Sequence, residues 1–186
     1  MERTAIFLDV ANLEQAFRKL GTQIDYLGLR DYLAEGRFLV ETFAYLPVNP
    51  HNPERKKRFA DFLRHNGFFV RSKVGKPRPE NRWKCNFDVE MAVDILHYAH
   101  HGRVDIIVIG SGDGDMLPVC EEVRWRGVRC EIAATKECTA EELFGAASGF
   151  IDLGSVIREQ RGQIIWNGSE DANRVPPDID ESYLDS

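Results

Sequence analysis

The run VDIIVIG at residues 104–110 is apolar at nearly every position and constrains the fold more than any other segment. A strand without a polar face belongs inside a sheet that is covered on both sides. Five further strand-like runs surround it: TAIFLDV (4–10), RFLVETFAYLP (37–47), FFVRSKV (68–74), VRCEIAA (128–134) and FIDL (150–153). Helical patterns separate them, over residues 12–20, 25–35, 53–65, 86–101, 118–125 and 141–147. In the third, Phe59, Phe62 and Leu63 face inward and Arg55 to Arg58 outward; in the fourth, Phe87, Met91, Ile95 and Tyr98 form one apolar stripe. Alternating strands and helices predict an α/β fold with a mainly parallel sheet and helices on both faces.

The 186 residues suit one domain, expected over 1–158. From residue 159 the sequence turns acidic and proline-bearing, with seven acids against two arginines to residue 186, which predicts a flexible tail. Ile164, Ile165 and Trp166 are its apolar exception and are expected to dock locally. That tail carries most of the net charge of −6, and residues 51–85 hold eleven Lys and Arg against three acids. The body is therefore strongly polarised, which the whole-chain charge hides. No apolar run reaches the roughly 18 residues of a membrane span. The start, MERTAIFLDV, shows no signal-peptide pattern, so a cytoplasmic protein is expected. The four cysteines lack C-x₂-C spacing, and Cys120 and Cys130 are expected as buried thiols.

In open α/β sheets, ligands bind beyond the carboxyl ends of the strands, where strand order reverses. Asp9 closes the first strand, and Asp113 and Asp115 follow the central one in GSGDGD. If these strands are neighbours, the carboxylates converge, and Asp88, opening the helix before the central strand, points into the same crevice. Each also has a purely structural role available: Asp9 as a helix cap, Asp88 at a helix dipole, Asp113 and Asp115 in a turn. Clustered carboxylates repel unless a cation neutralises them, and hard oxygen ligands suit Mg²⁺ or Mn²⁺. Asp9, Asp88 and Asp113 are the expected metal ligands. Asn12 is placed to orient water or a phosphate, Ser111 to hydrogen-bond a carboxylate or phosphate, and Asp115 to act through water. Asp94, about 240° around the helix from Asp88, is expected in a supporting position. GSGDGD is no dinucleotide loop, because Asp115 replaces the third glycine and acids there repel a pyrophosphate.

Lys73, Lys76, Arg78, Arg82 and Lys84 lead directly to Asp88 and are expected to bind RNA phosphates, with Trp83 or Phe68 stacking a base. Single-stranded RNA suits such a groove better than a duplex.

FLDVANLE, WKCNFDVEMAVDIL and IVIGSGDGDMLPVCEEVRWRGVRCEI together resemble the NYN domain, in the LabA-like branch of the PIN-related nucleases, over residues 3–155. The resemblance implies a PIN-like (Rossmann-like) three-layer α/β/α sandwich and a metal-dependent ribonuclease, with a homodimer as its oligomer. Asp9 and Asn12 match the family's D-x-x-N, Asp88 and Asp94 its central helix motif, and Ser111, Asp113 and Asp115 its S-G-D-x-D. The family's glycine after the central lysine is absent: Cys85 and Asn86 follow Lys84. The leading expectation is a Mg²⁺- or Mn²⁺-dependent ribonuclease. The alternative is a non-catalytic RNA-binding or regulatory module that keeps the fold. A phosphatase using Asp9 as nucleophile ranks last, because Ala11 stands where that chemistry needs a second aspartate.

Overall fold

A computed structural model of the protein describes residues 1–79, 82–159 and 164–165. The strands are β1 (Arg3–Asp9), β2 (Phe38–Val48), β3 (Phe69–Val74), β4 (Lys76–Pro77), β5 (Trp83–Lys84), β6 (Ile106–Gly110), β7 (Arg129–Ala134) and β8 (Gly149–Asp152). The helices are α1 (Val10–Lys19), α2 (Tyr26–Leu33), α3 (Pro53–His65), α4 (Asp88–His100), α5 (Leu117–Trp125), α6 (Glu141–Ala146) and α7 (Leu153–Glu159). Six strands form a parallel sheet in the order β3-β2-β1-β6-β7-β8.

Strand periodicity divides the core into two layers. Ala5, Phe7, Phe43, Tyr45, Ile107 and Ile109 face α4, α5 and α6. Ile6, Leu8, Ala44, Leu46 and Val108 face α1, α2, α3 and α7. The expected α/β/α sandwich is thus present, and burial of each such large side chain contributes roughly 1.5–3 kcal/mol toward fastening the helices. Cys120 and Cys130 are fully buried free thiols, as expected. No helix among the described residues is long and apolar enough to cross a membrane.

VDIIVIG does lie at the centre, with β6 paired to β1 on one side and β7 on the other. From β1 the chain runs outward to β2 and β3, then returns to β6 and continues the opposite way. The C-terminal ends of β1 and β6 therefore flank the switch point, and Leu8 pairs with Gly110 there.

Three features differ from the sequence reading. The segment between the strand-like run 68–74 and the helical pattern 86–101, for which the sequence predicts neither strand nor helix, contains an antiparallel hairpin, β4 with β5, because Trp83 is 1% exposed and anchors it. A seventh helix follows β8. In α3, Lys56 does not point outward with its neighbours; it is buried and bonded to both carboxylate oxygens of Glu14, at 3.0 and 2.9 Å. Ile164 and Ile165 dock as expected: Ile165 bridges Ile24, and the Asp25 N–H donates to the Ile164 carbonyl at 2.9 Å. Trp166 and the expected flexibility of the tail lie outside the described residues.

Candidate functional site

Asp9 ends β1 and caps α1, where one carboxylate oxygen accepts the Asn12 N–H at 3.2 Å. Its other oxygen accepts from the Ser111 hydroxyl at 3.4 Å. Ser111, fully buried, follows β6 directly, and its Oγ accepts the Asp113 N–H at 3.2 Å. Asp113 in turn accepts the Asp115 N–H at 3.0 Å, which starts a 3-10 turn over Gly114–Met116. The Asn12 Oδ1 accepts the Gly112 N–H at 3.0 Å. Asp9, Asn12, Ser111, Asp113 and Asp115 are therefore stitched into one hydrogen-bonded chain across the switch point. The capping and turn roles that each residue could fill alone are also real: the same bonds do both.

Gly112, between Ser111 and Asp113, is required by close packing. A Cβ at this position would lie 2.3 Å from the carbonyl oxygen of Cys138, and the Gly112 carbonyl accepts the Ala140 N–H at 2.9 Å. Only glycine lets the loop slot between Asn12 and residues 138–140.

Asp88 begins α4 at the same sheet edge, since a helix leading into parallel β6 starts where the strands end. Asn86 holds it in both directions: its Oδ1 accepts the Asp88 N–H at 3.0 Å and its Nδ2 donates to the Asp88 carboxylate. Asn86, which sequence alone does not mark as a partner of Asp88, thus holds both the backbone and the carboxylate of that residue. The carboxylates do not close into a cage. Among the described residues, no three of His, Cys, Asp and Glu are grouped so as to hold a metal ion. The donor chemistry nevertheless fits a hard divalent cation: carboxylate oxygens at a strand end, with Asp9 and Asp113 joined through one serine.

Asp94, 8% exposed, accepts from the Tyr45 hydroxyl at 2.9 Å and from Arg71 through both Nε and Nη2, the latter at 2.6 Å. Burial, reinforced by Asp94, pushes the Tyr45 phenol far above its ordinary range, so it remains a donor. Tyr45 pairs with Asp9 in the β1/β2 register. Asp94 thus braces the strand beside Asp9. Arg71, its partner, is not marked by the sequence patterns, although it shares a face of β3 with Phe69 and Lys73 and so meets α4.

Lys73, Lys76, Arg78 and Lys84 line a cavity of about 430 Å³ together with Val74, Cys85 and Asn86. Arg82 is not in that lining; its carbonyl accepts the Arg78 N–H at 2.7 Å in the hairpin. Lys73 pairs with Glu90 at 2.5 Å and lies over the Phe87 ring, and this contact holds the Glu90 carboxyl below its ordinary value. The expected base-stacking aromatics are corrected. Trp83 and Phe68 are 1% and 4% exposed, committed to opposite cores, and neither presents a ring face to solvent.

The NYN domain family model matches residues 3–154. The low amplitude and bright protein LabA of Synechococcus elongatus is 29% identical over 160 residues, which cover 83% of this chain and 85% of that protein. The crystal structure of a protein of unknown function from Vibrio parahaemolyticus has a TM-score of 0.72 at 23% identity, covering 89% of this chain and 96% of that one. This likeness bears on the fold, and it fits the PIN-like architecture.

Proposed function

The chain belongs to the NYN domain family, within the PIN-like nucleases, and we propose that it is a Mg²⁺- or Mn²⁺-dependent ribonuclease acting on single-stranded RNA. One observation carries this reading: at the switch point the buried Ser111 hydroxyl bonds both the Asp9 carboxylate at the end of β1 and the Asp113 backbone N–H in the loop after β6, 104 residues further along the chain. Asp9 and Asp113 would hold the ion, with Asp88 as third carboxylate. When bound, it supplies Lewis-acid stabilisation of the charge that develops on the scissile phosphate.

The chain's own residues do the rest. Ser111 ties the Asp9 carboxylate to the Asp113 backbone, and the Asp115 N–H orients the Asp113 carboxylate. Asn12, its Oδ1 committed to Gly112, presents its amide nitrogen to a phosphate oxygen or to the attacking water. Exposed Asp115 lies at the mouth and acts through water. Lys76, Arg78 and Lys84 attract the RNA backbone beside Asp88.

Purified protein is incubated with a panel of labelled RNAs, with Mn²⁺ and with excess EDTA. Cleavage that EDTA suppresses is expected, and RNA intact under both conditions contradicts the proposal. The clasp of Asn86 on Asp88 favours a second reading, RNA binding without turnover. Retention of RNA without cleavage, unchanged by Asp113→Asn, would select it.

A further inference from the structure

The β4–β5 hairpin is held rigidly enough to shape a discrete subsite. Gly75, just before β4, lies so close to the indole that an added Cβ would meet a Trp83 ring carbon at 2.2 Å. Trp83 is itself packed in the core with Tyr45 and Phe87. The hairpin therefore cannot swing away from β3 without pulling a tryptophan into water. Held there, it turns Lys76, Arg78 and Lys84 toward one hollow, with Lys73 supplied by β3.

The size and charge of that hollow suit one compact, multiply charged group at the end of the strand that these cations attract. About 430 Å³ is at the lower end of small-ligand pockets. Among the described residues, no carboxylate lines it. Lys73 is matched by Glu90, which leaves three cations without an ion pair among the described residues. A phosphodiester brings one negative charge. A terminal phosphomonoester brings about −1.5 to −2 near neutral pH, with three strong acceptor oxygens. Three converging cations in a hollow of this size suit the second far better. Asn86 forms one wall and grips Asp88, so a strand end seated there lies directly beside the candidate active site.

We propose that the hairpin hollow bounded by Lys76, Arg78, Lys84 and Asn86 is a subsite for the terminal phosphomonoester of an RNA strand. This rests on the reading of RNA as the substrate and adds recognition of the strand end to it.

The test uses the full chain carrying Asp113→Asn, so that binding is read without cleavage. Affinities are measured for one short oligoribonucleotide in three forms: 5′-phosphorylated, 3′-phosphorylated, and hydroxyl at both ends. One phosphorylated form is expected to bind about tenfold more tightly than the hydroxyl form, and which one does so gives the polarity of the strand. Adding Arg78→Gln and Lys84→Gln, both outside the core, is expected to bring that ratio close to one. Equal affinity for all three forms overturns the subsite and leaves RNA binding standing. Failure to bind any form overturns both.

Discussion

Asn12 and Gly112, 100 residues apart in sequence, are joined by a 3.0 Å hydrogen bond from the Gly112 N–H to the Asn12 Oδ1. This contact locks the start of α1 to the loop that carries Asp113. Because Gly112 is buried, Asn12→Ala leaves an N–H without its partner and is expected to cost about 1–3 kcal/mol. Urea denaturation measures the loss, and an unchanged midpoint would show that the clasp contributes nothing.

Gly112 tolerates no side chain, since the atom it would strike is the Cys138 backbone oxygen. Gly112→Ala must move either the Asp113 loop or residues 138–140. We expect a loss of roughly 1–3 kcal/mol from overpacking, read in thermal unfolding. Gly145, where a Cβ meets nothing within 4 Å, serves as the control position.

The buried pair of Lys56 and Glu14 joins α3 to α1, with side chains only 4% and 12% exposed. Glu14→Ala strands the ammonium and is expected to cost about 3–5 kcal/mol. Combining Glu14→Leu with Lys56→Met removes both charges and is expected to recover most of that loss. A double variant as unstable as the single one would contradict this reading.

At the opposite edge of the sheet, hydrogen bonds from the Arg3 side chain and N–H lower the Asp105 carboxyl to about 2. Its folded-state value lies below its unfolded one. The contribution is therefore present above the unfolded carboxylate range near 4 and is lost as pH falls toward 2. Asp105→Asn is expected to flatten the stability profile within that window and to leave its shape near neutrality unchanged. Unfolding midpoints measured across the acid limb check this.

The sheet was readable because its signals are local and redundant. Residues 104–110 leave no polar face, and a helical period resumes after each strand. The convergence of Asp9 with Asp113 followed from the position of strand ends together with one assumption about strand order, which the β1–β6 pairing satisfies. What escaped notice depended on tertiary partners. Lys56 carries the same charge as Arg55 and Lys57, and only the proximity of Glu14 turns it inward. Trp83 sits among basic residues in a segment rich in proline, so composition suggested an exposed loop; contact with Gly75 and the core decided otherwise. The Arg71–Asp94–Tyr45 cluster spans three elements, and no single segment reveals it.

The claim on which the proposed function stands is that Asp9, Asp88 and Asp113 serve one divalent cation. Crystals soaked in Mn²⁺ and measured near the manganese absorption edge test it directly. The account predicts an anomalous peak between Asp9 and Asp113, with the Asp88 carboxylate released from Asn86 to join them, and no such peak in Asp113→Asn crystals. Wild-type crystals without density between these three aspartates would contradict it.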